Sequence, residues 1–219
     1  MTTMKIKHHL TDDLVMGYSA GTLPEAVNLI VATHVSLCDD CRAAVEACDA
    51  LGGAMVESSD TVAVSDDCLE SVLGMIRTEE APAREPARGA PRSSVLPQPL
   101  ADYVGGGLDD IKWRPVGMGV KQAILPTSSE ASARLLYIPA GMAMPDHGHR
   151  GMELTLVLQG AFEDEDGHFA RGDIEIATDE IEHTPVADIS EDCICLAVTE
   201  APLRFKGLLP RLAQPFLKI

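Results

Sequence analysis

The chain has 219 residues, enough for one large domain or two small ones, and 46% of them are apolar. Aromatic residues make up only 4%, so any core must be built from Leu, Val, Ile, Ala and Met. A formal charge of −17, from 34 acidic and 17 basic residues, opposes the neutralisation of phosphates that direct nucleic-acid binding requires and suits a basic protein partner.

Residues 1–10 carry lysines and histidines but no apolar run of signal-peptide length. No stretch approaches the roughly 20 apolar residues of a membrane span. A cytoplasmic protein without membrane contact is expected. Its six cysteines are then reduced, and serve as ligands, redox sites or core residues rather than disulfides.

Thr11-Asp12-Asp13 predicts the start of a first helix, a hydroxyl cap followed by acids in the first turn. Leu14, Val15 and Tyr18 give it an apolar face, and Gly21 stops it. Pro24 suits the first turn of a second helix. Behind it Val27, Ile30, Val31, His34, Val35 and Cys38 recur at helical spacing, so His34 and Cys38 are expected on its inward face. Asp39 is expected to cap a third helix with Cys41 in its first turn, where the helix dipole favours a thiolate. Ala44, Val45, Cys48 and Leu51 extend that helix to Gly52-Gly53. Residues 57–63 read as a polar link. Ser65-Asp66-Asp67 opens a fourth helix with Leu69, Val72, Leu73 and Ile76 apolar, which either packs on the first three or reaches out to a partner.

From residue 79 the composition changes. Pro82, Pro86, Pro91, Pro97 and Pro99, interleaved with Ala, Ser and Arg, predict a semi-extended linker. The expected organisation is a helical domain over 1–80, a proline-rich linker over 81–99 and a second domain over 100–219. A helical unit of about 80 residues with few aromatics is marginal, and a structural metal would supply the missing stability. Beyond the linker, residues 119–125, 133–138 and 153–158 read as strands. Gly160 marks a turn, residues 161–164 follow, and Asp166-Gly167 is a hairpin signal. Ile174 and Ile176 alternate in the next strand, and residues 193–198 and 203–205 finish the series. Short strands at close spacing predict an antiparallel sandwich or barrel, with residues 208–219 as a tail lying on it.

The first constellation is His34-x3-Cys38-x2-Cys41. An imidazole and two thiols at this spacing suit a tetrahedral Zn²⁺, which needs a fourth ligand from His8 or His9. The bland alternative is a pair of buried thiols beside a core histidine. The surrounding sequence, Tyr18-Ser-Ala-Gly-Thr-Leu-Pro-Glu and His34-Val-Ser-Leu-Cys38-Asp-Asp-Cys41-Arg42, resembles that of zinc-binding anti-sigma factors. The resemblance covers roughly residues 1–80. It implies a four-helix domain holding structural zinc through this motif and a histidine about 25 residues upstream, which is His9. It also implies a one-to-one clamp on an extracytoplasmic-function sigma factor, closing it to polymerase and promoter.

The second constellation is His147-x-His149-x3-Glu153. On a strand, positions i and i+2 face one side, so both imidazoles meet one space. The frame Gly141-x5-His147-x-His149-x3-Glu153-x6-Gly160 matches the first cupin motif. The second motif is partial: Gly172 and His183 are in register, while Thr178, Glu180 and Ala187 replace its usual Pro, Gly and Asn. The resemblance covers about residues 100–205 and implies a cupin β-barrel whose metal is held by His147, His149, Glu153 and His183. Zinc is the expected metal there; Fe, Mn and Ni suit the same donors. The bland alternative is a barrel with an empty site. A third feature, Cys193-x-Cys195, puts two thiols on one side of a strand, either as small core residues or as a redox or signal-sensing pair.

A zinc anti-sigma domain followed by a cupin resembles the ChrR-type anti-sigma factors. The fold class expected is therefore multidomain α and β, and the function that of a regulator with no catalytic residues. The resemblance implies release of the sigma factor on an oxidative, singlet-oxygen-type signal sensed through the cupin. The competing reading is a metal-dependent cupin oxygenase or isomerase with a helical appendage.

Overall fold

The structure, a computed structural model, describes residues 5–78, 95–148, 151–178, 182–201 and 204–205, with backbone alone at His147, Glu182, Arg204 and Phe205. Most of the linker, His149 and the tail at 208–219 lie outside the described residues.

Helix α1 (Asp12–Ser19) begins where Thr11 Oγ1 accepts from Leu14 N–H at 3.4 Å, the cap that the sequence signals. Helix α2 (Glu25–Val35) follows Pro24. Helix α3 (Asp39–Glu57) is capped by Cys38 rather than Asp39, with the sulfur accepting from Cys41 N–H at 3.5 Å. It also runs through Gly52-Gly53 to Glu57. Two glycines cost a helix about 1 kcal/mol each against alanine, which lowers its stability without ending it. Helix α4 (Cys68–Thr78) has no buried residue. Helix α5 (Gln98–Val104) starts in the last two residues of the stretch expected as linker, Leu96 and Leu100 are buried in the core, and Gly105 closes the helix at φ 74°.

Strands β1 (Arg114–Gly117), β2 (Val120–Ile124), β3 (Ser132–Ile138), β11 (Cys193–Thr199), β5 (Glu153–Gln159) and β8 (Ile174–Ala177) form an antiparallel sheet in that order. A second sheet orders β10 (Val186–Ala187), β6 (Ala161–Asp164) and β7 (Gly167–Ala170). A third orders β12 (Arg204–Phe205), β4 (His147–Gly148) and β9 (Glu182–His183). The two smaller sheets are built largely from two-residue strands, and the described ladders do not join into a closed ring. The expected barrel is corrected to a cupin-like sandwich.

The helical part does not stand apart from the sheet. Five α-helices occur among the described residues, and α2 is shared between α1 and α3 on one side and β3, β5 and β11 on the other. Ala26, Val27, Leu29, Ile30 and Val31 are all buried, more than one helical stripe can account for. One core cluster accordingly joins Val27, Ile30 and Val31 to Leu135, Leu154, Leu156 and Leu196 of the sheet. Each fully buried Val, Leu or Ile contributes roughly 1.5–3 kcal/mol. All seven residues of β11 are buried, because α2 covers one face and the smaller sheet the other.

Two polar ties reinforce this docking. Glu25, at the start of α2, accepts from Tyr103 Oη of α5 at 2.9 Å and from Ser128 N–H at 2.7 Å. At the other tie, Asp173 is 3% exposed and takes three backbone donors. Its Oδ1 accepts from Lys7 N–H (2.6 Å) and His8 N–H (3.0 Å), its Oδ2 from Ala170 N–H (2.9 Å). Ile174 N–H donates to His8 O at 3.3 Å, so the N-terminal segment runs along β8. Gly172 permits the approach: at φ 93°, a Cβ there would stand 2.7 Å from Ile6 Cδ1.

Candidate metal centres

The first centre lies where α2 ends and α3 begins. The α2 register buries His34 completely, and the turn that follows presents Cys38 and Cys41, 3% and 4% exposed. The N-terminal segment brings in His9. Its Nδ1 is 3.2 Å from Cys38 Sγ and 3.7 Å from Cys41 Sγ, and His34 Nε2 is 3.3 Å from Cys41 Sγ. A tetrahedral zinc with its usual Zn–N and Zn–S lengths separates nitrogen from sulfur by about 3.6 Å. The donor atoms of all four residues lie within 4.8 Å of one another, so this set fits a metal ion and is compatible with zinc. His8 is not part of it; its ring packs on Phe169 at 4.2 Å between centroids.

The protonation states agree with this chemistry. Burial, with His9 nearby, lowers His34 to about 4, so its ring stays neutral at pH 7 and keeps a lone pair for a metal. Burial, only partly opposed by the Leu10 backbone, raises the Cys41 thiol to about 11. A cation is what would turn it into a thiolate. Asp39 and Asp40 are exposed, and Asp39 pairs with Arg42.

Strands β4, β5 and β9 carry three of the second set of expected ligands. His147 and His183 stand opposite each other in the β4–β9 register. Glu153, 8% exposed, opens β5, with Thr155 Oγ1 donating to its Oε1 at 3.5 Å. His149 lies outside the described residues.

Sequence reasoning missed three charged residues here. The β5–β8 register sets Thr155 opposite Glu175 and Glu153 opposite Ala177, so the two acids share the inner face. His183 Nδ1 meets Asp164 Oδ2 at 2.7 Å and Glu175 Oε1 at 3.0 Å, a His-carboxylate group that is the second with metal-ligand spacing among the described residues. Burial raises Glu175 to about 7. Burial works to lower His183, but the bonds and charges of Glu175 and Asp164 outweigh it and raise the ring to about 9. Burial likewise works to raise Asp164, and the bonds to Glu175, His183 and Asp166 N–H hold it below its ordinary value. Arg134, 6% exposed, bonds Ser132 Oγ at 3.1 Å and Gln122 Oε1 at 3.5 Å, and its charge interacts with Glu153. An acid between Ile174 and Ile176 was the one available signal, since strand alternation turns Glu175 to the face opposite those isoleucines.

Cys193 and Cys195 point to one side of β11 with sulfurs 3.5 Å apart, both buried among Val157, Phe162 and Phe169. The bond with Cys193 and burial hold the Cys195 thiol well above its ordinary value.

A largely buried two-histidine, two-cysteine group that could hold a metal ion, beside helices docked against a cupin-like sheet, defines a helical–cupin protein. Residues 104–203 match the family model described as the ChrR cupin-like domain. The chain is 59% identical over 218 residues to the anti-sigma-E factor ChrR of Cereibacter sphaeroides, covering 99% of this chain and 100% of that one. It also matches the crystal structure of Rhodobacter sphaeroides SigE in complex with the anti-sigma ChrR. That match is 56% identical with a TM-score of 0.76, over 89% of this chain and 99% of the other. The chain belongs to the ChrR family of anti-sigma factors.

Proposed function

We propose that this chain binds an extracytoplasmic-function sigma factor one-to-one in the cytoplasm, holds it inactive, and releases it on an oxidative signal of the singlet-oxygen type. One observation carries the reading. The C-terminal half of α3 and all of α4 present apolar side chains to water: Leu51, Met55, Val56, Leu69, Met75 and Ile76 are 60–75% exposed. An apolar surface of this extent on two consecutive helices is completed by a partner. The net charge of −17 favours a basic one, as a promoter-binding sigma factor must be.

Residues 1–80 are the inhibitory part, 81–99 the connection and 100–219 the sensor. The first centre holds zinc structurally through His9, His34, Cys38 and Cys41; four protein ligands leave no open position for chemistry. His147, His149, Glu153 and His183 hold the second metal, zinc or one of Fe, Mn and Ni. That ion would supply an electrophilic or redox-active centre where the signal enters. Thr155 donates to the Glu153 carboxylate, the charge of Arg134 interacts with it, and the β4–β9 register pairs residue 183 with residue 147. The Cys193/Cys195 pair is the redox candidate. Joining its sulfurs needs them to close from 3.5 Å to about 2.05 Å, with two protons and two electrons passing to an oxidant.

The test uses SigE of Rhodobacter sphaeroides as probe. The purified chain should form a one-to-one complex with it and block SigE-dependent transcription. Leu69→Asp with Ile76→Asp should weaken binding at least about tenfold without lowering the melting temperature. His147→Ala with His149→Ala should spare inhibition and blunt release by singlet oxygen. Failure to bind or inhibit overturns the anti-sigma reading, and unchanged release removes the second metal from it.

A further inference from the structure

The pair of carboxylates behind His183 has no place in the ligand set just given. Asp164 divides its oxygens. Oδ1 accepts from Asp166 N–H at 3.0 Å and Gly167 N–H at 3.2 Å, fixing the β6–β7 turn, while Oδ2 lies 2.7 Å from His183 Nδ1. Glu175 comes from β8, in the other sheet, and sets Oε1 3.0 Å from the same nitrogen. His183 is 2% exposed and sits between elements of all three sheets.

We propose that Asp164 and Glu175 are positioning residues for the second metal: they hold the proton of His183 on Nδ1, fix the plane of the ring and so make Nε2 the ligand atom. An imidazole ligates through a nitrogen that carries no proton, and a carboxylate on the far nitrogen both selects that tautomer and makes the ligand more basic. The turn and β8 fix this pair before any metal arrives. The rival arrangement, in which Asp164, Glu175 and His183 Nδ1 themselves grip the ion, would take His183 away from His147, which faces it across the strand pair. The inference rests on the reading of His183 as a ligand.

The substitution Asp164→Asn separates the possibilities on chemical grounds. Two backbone N–H groups already claim Oδ1, so the asparagine oxygen stays at the turn and its NH₂ faces Nδ1. A donor then faces Nδ1, and Glu175 alone still holds the proton there; with Glu175→Gln added, the proton is free to move to Nε2 and block the ligand atom. Glu175→Gln removes the remaining acceptor of charge.

The experiment measures metal affinity in the full chain by chelator competition with Co²⁺. Cobalt at the first centre reports by its thiolate charge-transfer absorption, and cobalt at the second lacks that band. Asp164→Asn with Glu175→Gln should lower affinity for the second ion by about 10- to 100-fold, with a smaller loss in each single variant. The cobalt d–d spectrum at saturation and the first centre should be unchanged. Asp164→Glu, which keeps a carboxylate, should restore part of the affinity lost with Asn. A change below twofold in the double variant overturns the inference. A saturated spectrum of altered coordination, with His147→Ala harmless, overturns it in favour of the three-residue grip. If His183→Ala leaves second-ion binding intact, the ligand reading itself has failed, an outcome distinct from both.

Discussion

At the residue scale, short-range spacing was the most legible information. His34, Cys38 and Cys41 are fixed by one helix end and the next helix start, so ligand geometry follows from their separation in sequence alone. Spacing alone left His8 and His9 open as the fourth donor; the family resemblance pointed to His9, and the path along β8 turns that ring to Cys38 and Cys41. The acids were illegible for a different reason. Asp164, Asp173 and Glu175 look like any solvated carboxylate until strands distant in sequence bury their side chains. Asp173 yields a prediction of its own. Its carboxylate satisfies the N–H groups of Lys7, His8 and Ala170, and a hydrogen bond to a charged group contributes about 1.5–3 kcal/mol. Asp173→Ala should therefore accelerate amide exchange at residues 7 and 8 by at least about tenfold. It should also speed loss of zinc to a chelator, because His9 follows directly. Unchanged exchange would mean that the β8 pairing alone secures the segment.

At the scale of elements, the strands were readable because alternation survives in β5 and β8, and turn signals such as Asp166-Gly167 bound them. The helices were readable as helices, but what covers α2 was not. The clue was in α2: an apolar residue at Ala26, Val27, Leu29, Ile30 and Val31 is a helix that needs cover on two sides. A bundle of three short neighbours leaves one side open, and the sheet supplies it. Ile30 is fully buried between them. Ile30→Ala should cost about 2–5 kcal/mol. In thermal unfolding followed by both helical and sheet signals, the two should shift together to lower temperature. Separate transitions, with only the helical signal shifted, would show that α2 does not couple the two parts.

At the scale of the whole molecule, two surfaces of the helical part have opposite fates. One, on α2, is sealed against β3, β5 and β11; the other, on α3 and α4, is left in water. If inhibition uses the wet face, cutting the chain separates it from interdomain docking. A protein ending at residue 78 keeps the first metal centre and the exposed apolar residues of α3 and α4. It loses the cover over Val27, Ile30 and Val31, and the Asp173 bonds to residues 7 and 8. It should still bind and inhibit the SigE probe. It should also melt at lower temperature than the full chain, depend more steeply on zinc for its stability, and self-associate as its concentration rises, because an apolar strip the sheet had covered is now wet. Binding assays, melting with and without a chelator, and sedimentation across a concentration series measure the three effects. If the shortened protein is as stable and monomeric as the full chain but no longer inhibits, the assignment of the two faces is reversed, and the sheet belongs to the clamp.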